Sequence, residues 1–448
     1  MKLSELKGKK VLILGFGREG RDTLKFLKKT FPKNTFGIAD RIKTAVFNEK
    51  FLKLGADKNL NRHLGEEYLS SVAEYEIIVK TPGIPLTAIK PFLKKGTKIT
   101  SQTELFLDNC PGRVVGITGT KGKSTTSSLI YKVLKTGGKK AYLAGNIGIP
   151  ALSYLAKAKK GDIYVFEMSC HQLAELKTSP DVAVFLNLYP EHLDYYKNFS
   201  AYAKAKANIT LWQDKKDCLI YNPDDKKVSR FAAASLAKKI KIDTAGVEKT
   251  IILEDIPLKG DFNLINVSAA IKTGEIFGIP RTKIAQAIKK FKTLDHRLEK
   301  IGPYKGITFY NDSLSTIEQS AIAAIEALGN NVETIFLGGF DRGLTFKHLS
   351  KKILSSGNIK TLILFPTTGR KIWKEIKRQS KGRIKTPQAF FADNMSDAVK
   401  LGYEHTSKGK ICLMSCASTS FGMFRDYQER GELFKKYIKE FGENEKNN

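Results

Sequence analysis

The chain has 448 residues, of which 42% are hydrophobic and 27% charged, and its formal net charge is +31. This length supports more than one domain, and no run of about eighteen apolar residues indicates a membrane span. The basic residues are spread along the chain in pairs such as Lys94-Lys95 and Lys351-Lys352, without a basic stripe interleaved with aromatic residues. Nucleic-acid binding is therefore not expected, although a positive field favours anionic small molecules.

The N-terminus and the cysteines predict the compartment. The chain passes from Met1 through charged residues into a short strand, without the apolar region of a secretory signal. The five cysteines are odd in number and scattered, which favours reduced, mostly buried thiols. We therefore expect a cytoplasmic protein that does not insert into membranes.

Short apolar strands alternate with helical patterns along almost the whole chain, which is typical of an α/β fold with parallel sheets. The pattern divides into three predicted domains, with boundaries at residues 1–111, 112–298 and 299–448. The predicted strands comprise residues 10–15, 35–40, 75–80, 113–117, 162–167, 182–187, 218–222, 307–311, 334–338, 361–365 and 411–415.

The first glycine-rich loop reads Gly15-Phe-Gly17-Arg-Glu-Gly20 and follows a predicted strand, with Asp40 about twenty residues further on. This G-x-G-x-x-G pattern is typical of a dinucleotide-binding turn. It leaves three alternatives open: a nicotinamide-dependent dehydrogenase, a site for another diphosphate, or a tight turn that binds nothing.

The second glycine-rich loop, Gly116-Ile-Thr-Gly-Thr-Lys-Gly-Lys-Ser-Thr125, lies between a predicted strand and a predicted helix. Its glycines allow backbone N–H groups to face phosphate oxygens, Lys123 adds a positive charge, and the hydroxyl of Ser124 or Thr125 can bind Mg²⁺. The spacing differs from the usual phosphate loop, because Ile117 stands where a glycine is expected. The loop nevertheless predicts a nucleoside triphosphate site.

Several further segments accompany this loop in a fixed order and span essentially the whole chain. The segments are Thr81-Pro-Gly-Ile84, Gly145-Asn-Ile-Gly148, Phe166-Glu-Met-Ser-Cys-His-Gln-Leu173, Asn187-Leu-Tyr-Pro-Glu-His-Leu-Asp194, Gly260-Asp-Phe-Asn-Leu-Ile-Asn266, Leu294-Asp-His-Arg297, Asn311-Asp-Ser313, Cys416-Ala-Ser-Thr-Ser420 and Tyr427-Gln-Glu-Arg-Gly431. Together with the phosphate loop they resemble the Mur ligases.

The resemblance implies an N-terminal Rossmann-like domain for a UDP-sugar, a central P-loop ATPase domain and a C-terminal Rossmann-like domain for an amino acid. It implies an ATP-dependent ligase of peptidoglycan precursor synthesis, which adds glutamate to UDP-N-acetylmuramoyl-L-alanine through an acyl phosphate. ATP and two Mg²⁺ ions are the implied cofactors, the implied partners are these small molecules, and the implied state is a monomer.

The resemblance also implies a catalytic and metal-binding set. Lys123 contacts the β- and γ-phosphates, and Glu167 and His192 bind metal with the hydroxyl of Ser124 or Thr125. Lys206 matches the family lysine that carries a carbamate, although Lys204 remains an alternative because the spacing from His192 differs by one residue. His296 positions phosphate or simply ends a linker.

The remaining implied residues bind substrates. The ATP-binding set is Gly119, Thr120, Lys121, Gly122, Lys123, Ser124, Thr125, Asn263, Asn266, Arg297 and Asp312. The set for the UDP-linked substrate is Gly15, Phe16, Gly17, Arg18, Asp40, Arg41, Thr81, Pro82, Gly83, Asn146, Gln172 and His192. The set for glutamate is Thr316, Arg342, Ser420 and Tyr427.

Two positions depart from the family pattern. Leu314 stands where a lysine near the phosphates is expected, and Arg342 stands where the amino-acid pocket has a lysine. A guanidinium can bind a carboxylate through two hydrogen bonds, so an acidic amino acid is still expected. D-Glutamate is favoured, with an L-glutamate-adding relative as the alternative.

Overall fold

The structure is a computed structural model that describes residues 1–42, 58–192, 195–380 and 386–443. Leu193 and Asp194, the last residues of one predicted motif, lie outside the described part. The chain divides into two compact units: Met1–Asp255 with Ile265–Lys290, and Ile256–Leu264 with Phe291–Asn448. The first unit contains two sheets and the second contains one.

The first sheet has five parallel strands in the order β3-β2-β1-β4-β5. Its strands are β1 (Val11–Leu14), β2 (Phe36–Asp40), β3 (Leu60–Leu64), β4 (Ile77–Lys80) and β5 (Lys98–Thr100). Its helices are α1 (Arg18–Thr30), α2 (Leu86–Ile89) and α3 (Gln102–Asn109).

The second sheet has six parallel strands in the order β11-β10-β9-β6-β8-β7. Its strands are β6 (Arg113–Thr118), β7 (Ala141–Gly145), β8 (Ile163–Glu167), β9 (Val182–Phe185), β10 (Cys218–Tyr221) and β11 (Lys238–Lys241). The helices that follow in this part of the chain are α4 (Lys123–Thr136), α5 (Leu152–Leu155), α6 (Cys170–Leu173), α7 (Phe199–Leu211), α8 (Lys226–Ala234), α9 (Asp261–Ile276) and α10 (Arg281–Lys289).

The third sheet has six strands in the order β12-β13-β17-β14-β15-β16, and only the β12–β13 pair among the described strands is antiparallel. Its strands are β12 (Glu299–Tyr304), β13 (Ile307–Asn311), β14 (Val332–Gly338), β15 (Thr361–Phe365), β16 (Gln388–Phe391) and β17 (Ile411–Met414). Its helices are α11 (Glu318–Leu328), α12 (Lys347–Ser356), α13 (Thr368–Gln379), α14 (Met395–Glu404) and α15 (Tyr427–Glu443).

The inner strands are buried on both faces, which is why most of their residues are apolar. All four residues of β1 and of β9 are buried, as are all seven of β14. Helices on both faces of a parallel sheet produce this pattern. The predicted α/β class with three mostly parallel sheets is confirmed, while the predicted boundaries after residues 111 and 298 stay predictions.

The carboxyl ends of the parallel strands carry the predicted motifs. The two glycine loops follow β1 and β6, Glu167 ends β8, and the segment from Asn187 follows β9. Loops at the carboxyl ends of parallel strands form the ligand sites of open α/β sheets. Residues that are far apart in the sequence thus come together at the carboxyl ends of the strands.

Candidate active site

The phosphate loop connects β6 to α4 and turns at two glycines. Gly119 and Gly122 have φ angles of +157° and +87°. A Cβ atom at Gly122 would lie 2.5 Å from Oδ1 of Asn266, which accepts a hydrogen bond from the Thr126 hydroxyl. The loop therefore requires glycine at position 122, and Asn266 supports the helix that follows.

Asn187 fixes the conformation of the same loop from the end of the neighbouring strand. The backbone N–H groups of Thr120 and Lys121 donate to the main-chain and side-chain oxygens of Asn187 at 3.0 and 2.8 Å. The Asn187 amide donates in return to the Lys121 carbonyl at 3.1 Å. Sequence reasoning gave Asn187 no role of its own, although it begins a quoted motif.

Lys123 begins α4, and its side chain turns back so that the ammonium group contacts the loop. Nζ donates to the carbonyls of Gly119 and Thr120, at 3.0 Å each. The adjacent side chains of Ser124 and Thr125 are buried on the first turn of the helix. A positive side chain, two hydroxyls and a helix N-terminus meet here, and this combination suits the phosphates of a nucleotide.

Glu167 ends β8 as a buried carboxylate, 1% exposed. Its Oε1 accepts a hydrogen bond from the Asn146 amide at 2.9 Å, and its main-chain carbonyl accepts from the Asn146 N–H at 3.1 Å. The other carboxylate oxygen, Oε2, is buried without a hydrogen-bond partner in the described structure. A buried carboxylate oxygen of this kind is costly unless a cation or another donor approaches it.

Lys206 lies on α7 and is 2% exposed. Its Nζ donates to the Gly119 carbonyl at 2.9 Å and lies 5.1 Å from the centre of the Tyr202 ring. Burial, together with the nearby charge of Lys123, lowers the pKa of Lys206 to about 7. Lys204 is exposed, so the structure places Lys206, and not Lys204, beside the phosphate loop.

His192 has a φ angle of +56°, which is unusual for a residue other than glycine. Its ring lies edge-on to that of His171 at 4.9 Å and tilted to Tyr202 at 6.2 Å. The preceding Glu191 forms an ion pair with Lys121 at 2.8 Å. Burial acts to raise the pKa of Glu191, but Lys121 and Lys123 hold it below its ordinary value. His171 and Glu191 are contacts that sequence reasoning missed.

The glycine loop of the first sheet turns tightly against Thr81. A Cβ atom at Gly15 would overlap the Thr81 hydroxyl at 1.9 Å, and one at Gly20 would lie 2.0 Å from the Gly15 carbonyl oxygen. The Asp40 carboxylate accepts a hydrogen bond from the Phe16 N–H at 2.6 Å. Asp40 thus braces the loop, while Arg41 is exposed and pairs loosely with Glu66 at 3.4 Å.

We expect Gly15→Ala to lower the free energy of unfolding by about 3 kcal/mol, because it combines a positive φ with a steric clash. Gly17→Ala is the matched control, since Gly17 has an ordinary φ of −71° and a Cβ atom there would have open space. The control should lose less than about 1 kcal/mol. Urea unfolding of both variants is the measurement, and equal losses would contradict the proposed geometry of the loop.

Two residues of this glycine loop reach the second sheet, within the first unit. Arg18 donates from Nη2 to the carbonyls of Gly145 and Asn146, at 2.8 and 3.2 Å. Glu19 accepts a hydrogen bond from the Gln172 amide at 2.7 Å, and Gln172 also caps α6 through the Ser169 N–H. Gln172 and Asn146, both expected near the UDP-linked substrate, therefore also hold protein segments together.

In the second unit, the segment that contains His296 and Arg297 lies beside Asp312. His296 is buried with a φ of +64°, and its Nδ1 lies 2.9 Å from the Asn311 amide. Burial and the Lys435 charge lower the pKa of His296. Asp312 accepts hydrogen bonds from the Leu298 N–H at 3.1 Å and the Ser415 hydroxyl at 2.7 Å.

Arg430, another residue that sequence reasoning missed, joins loops at the carboxyl end of the third sheet. It is fully buried and donates to the carbonyls of Ser313 and Ser418, at 2.6 and 3.1 Å, and to the Ser313 hydroxyl at 3.0 Å. The Ser313 hydroxyl donates in turn to the Tyr427 carbonyl at 2.8 Å. A buried guanidinium with neutral acceptors fixes these loops and adds positive charge beneath them.

The residues expected to bind glutamate lie on loops and a helix start at this end of the sheet. Arg342 is exposed, and its guanidinium lies 5.8 Å from the centre of the Phe421 ring. Ser420, which precedes Phe421 in the sequence, is buried. Tyr427 begins α15, and Thr316 is half-buried in the segment after β13. The backbones of Phe340 and Thr419 pair in an isolated bridge, which brings the Arg342 and Ser420 loops together.

The residues of the first unit fit a metal ion that interacts with phosphates. The buried, unpartnered Oε2 of Glu167 is a hard oxygen of the kind that Mg²⁺ prefers. Within the described ranges, no three His, Cys, Asp or Glu side chains are grouped to hold a metal. Such an ion would therefore take further ligands from hydroxyls, phosphate oxygens, water or a modified Lys206.

The described helices include none with the length and apolarity of a membrane span. All five cysteines are free thiols, and Cys170, Cys412 and Cys416 are buried, as expected. These features belong to an α/β protein in which parallel sheets carry one phosphate-loop site and one further glycine loop.

Comparisons with known proteins agree with this class. Residues 117–274 match the Mur ligase middle domain. The UDP-N-acetylmuramoylalanine--D-glutamate ligase of Acetivibrio thermocellus is 32% identical and covers 97% of both chains, and that of Koribacter versatilis is 31% identical, covering 99% of this chain and all of the relative. The MurF ligase of Thermotoga maritima in complex with ADP has a similar fold, with a TM-score of 0.59 at 16% identity and coverage of 98% and 97%.

The fold and the glycine loops, together with these near full-length relatives, identify a ligase of the Mur type. The chain belongs to the Mur ligase family, and these two near full-length relatives are named UDP-N-acetylmuramoylalanine--D-glutamate ligases. Because the chain belongs to a ligase family, we no longer interpret the first glycine loop as that of a nicotinamide-dependent dehydrogenase.

Proposed function

We propose that this enzyme uses ATP to join glutamate, with D-glutamate favoured, to UDP-N-acetylmuramoyl-L-alanine in peptidoglycan precursor synthesis. The observation that carries the proposal is the convergence of Lys123, Glu167 and Lys206 around the phosphate loop, in a chain whose relatives bear the name of this reaction. The nucleotide substrates favour a cytoplasmic reaction, and we expect a monomer with domains at 1–111, 112–298 and 299–448.

The chemistry requires an activated carboxylate, because a carboxylate itself is a poor electrophile. Transfer of the γ-phosphoryl group of ATP to the alanine carboxylate gives an acyl phosphate and ADP. The glutamate amine then attacks the acyl carbon and displaces phosphate. Negative charge develops on the phosphoryl oxygens during transfer, so fixed positive groups and accurate positioning provide the catalysis.

In this chain the phosphate loop and Lys123 would bind the β- and γ-phosphates. Lys123 now donates to two loop carbonyls, and these are interactions that phosphate oxygens can replace. Glu167, His192, Ser124 and Thr125 would hold Mg²⁺, which supplies positive charge to the transferring group. Asn263, Asn266, Arg297, His296 and Asp312 are proposed to complete the ATP site and its surroundings.

Lys206 is proposed to act as a carbamate. Carbon dioxide reacts only with the neutral amine, and burial lowers the pKa of Lys206 to about 7, so a neutral form is accessible near neutral pH. The product would carry negative charge beside the Gly119 carbonyl and close enough to Lys123 to interact with it electrostatically. It would thereby supply oxygen ligands for a second ion, for which the described residues offer no group of three His, Cys, Asp or Glu side chains.

The glycine loop after β1, with Asp40, Arg41 and the Thr81–Gly83 segment, is proposed to bind the uridine diphosphate. Asn146 and Gln172 would lie near the muramoyl part. Arg342, Ser420, Thr316 and Tyr427 are proposed to bind glutamate, with the Arg342 guanidinium on a carboxylate.

The direct test is phosphate release from ATP with UDP-N-acetylmuramoyl-L-alanine and each enantiomer of glutamate. We expect release only when ATP, Mg²⁺, the UDP-linked substrate and glutamate are all present, and faster release with D-glutamate. Faster release with L-glutamate would correct the stereochemistry alone. No release with either enantiomer would overturn the glutamate assignment and favour another substrate within the ligase family.

A further inference from the structure

Arg18 connects the first glycine loop to the loop that supports Glu167. Arg18 is the first residue of α1 and is exposed beside the proposed diphosphate site. Its Nη2 donates to the Gly145 and Asn146 carbonyls, at 2.8 and 3.2 Å. Asn146 in turn contacts Glu167 twice, through its side-chain amide at 2.9 Å and its backbone N–H at 3.1 Å.

The next residue, Glu19, makes a second connection, to the segment that follows Glu167 in the chain. The Glu19 carboxylate accepts a hydrogen bond from the Gln172 side-chain amide at 2.7 Å, and the side-chain oxygen Oε1 of Gln172 accepts one from the Ser169 N–H at 2.9 Å. Ser169 follows Glu167 by two residues. Two adjacent residues of the Gly15–Gly20 motif therefore contact two segments next to Glu167: Asn146, which is hydrogen-bonded to it, and the residues that follow it in the chain.

The guanidinium retains the capacity to bind a ligand while it makes these contacts. Both hydrogen bonds use Nη2, and no acceptor among the described residues contacts Nε or Nη1. An arginine has five N–H donors in a fixed plane, so a phosphate oxygen that engages the remaining donors restricts the whole group. A diphosphate on the loop would therefore also fix the Gly145–Asn146 carbonyls.

We propose that Arg18 is a positioning residue that couples occupancy of the UDP-sugar loop to the placement of Glu167 through Asn146. This inference rests on the proposed function, because it assigns the diphosphate to the first loop and metal binding to Glu167. Coupling of this kind is reciprocal. The UDP-linked substrate and the nucleotide with its metal ion should therefore strengthen each other's binding by the same factor.

The test is a calorimetric measurement of UDP-N-acetylmuramoyl-L-alanine binding, without and with Mg²⁺ and a non-hydrolysable ATP analogue. In the unaltered enzyme the nucleotide should tighten this binding by about tenfold. Arg18→Met keeps the aliphatic stem and removes the donors, and it should reduce that factor to about one. Lys25→Met is the matched control, since it removes one exposed positive charge from the same helix and should keep the tenfold factor.

A second readout separates positioning from substrate contact. Mn²⁺ binding, measured by electron paramagnetic resonance with the ATP analogue present, should weaken several-fold in Arg18→Met only when the UDP-linked substrate is bound. Weaker binding of that substrate with an unchanged coupling factor, or no coupling in the unaltered enzyme, would overturn the inference while leaving the proposed function intact. Failure of the unaltered enzyme to bind the UDP-linked substrate at all would overturn the proposed function and the inference with it.

Discussion

Replacement of Lys206 by alanine is expected to reduce turnover by at least about 10³-fold, since it removes a group at the centre of the proposed metal and phosphate site. Lys206 is buried and donates a hydrogen bond to the Gly119 carbonyl. Because its ammonium is shielded from solvent, it does not act as a surface charge. Short carboxylic acids such as formate or acetate should partly restore activity to Lys206→Ala, because they can occupy the space of the carbamate. The measurement is the rate of phosphate release with and without the added acid.

Lys204→Ala is the matched control for this prediction. Lys204 lies two residues away on the same helix, but its side chain is exposed. It should keep nearly full activity and show no response to carboxylic acids. Full activity in Lys206→Ala, or equal losses in both variants, would contradict the assignment of Lys206.

The second large effect is expected for Glu167→Gln, which should lower kcat/KM by about 10³-fold with a much weaker response to Mg²⁺. The change keeps the shape of the side chain and removes the negative charge at Oε2, the buried oxygen without a protein partner. A buried charge of this kind costs stability in the absence of its cation. The unliganded variant should therefore unfold at the same temperature as the unaltered protein or higher.

Glu254→Gln provides the control, because Glu254 is exposed in the same unit and its change removes the same charge. Activity titrated against Mg²⁺ and thermal unfolding without ligands are the two measurements. An active Glu167→Gln with an unaltered Mg²⁺ response would show that Glu167 is not a metal ligand. A large loss of thermal stability would instead assign it a structural role.

The strands that could be predicted from the sequence are the interior ones. All eleven predicted strands match observed strands, whereas β3, β5, β7, β11, β12 and β16 were missed, and each of these lies at an edge of its sheet. The reason is physical, because an edge strand has a neighbour on one side only and needs less apolar sequence. The edge strand β11, for example, reads Lys-Lys-Ile-Lys, with three exposed lysines.

The candidate site combines local features, which could be predicted from the sequence, with long-range contacts, which could not. The glycine loops were predictable, since a tight turn after a strand requires glycine at positions such as Gly15 and Gly122. The resemblance matched Lys206 and left Lys204 as an alternative, and the difference in burial between these two lysines of one helix is visible only in the structure. The supports provided by Asn187 and Arg430 were not predictable, because their partners lie far away in the sequence.

The proposed reaction depends on transfer of the γ-phosphoryl group of ATP to the carboxylate of the UDP-linked substrate. The most direct measurement uses UDP-N-acetylmuramoyl-L-alanine labelled with oxygen-18 in its carboxylate, with ATP, Mg²⁺ and D-glutamate. Because the amine displaces phosphate from the acyl carbon, we expect one labelled oxygen in each inorganic phosphate released. Phosphate without label, formed while the amide product accumulates, would contradict it.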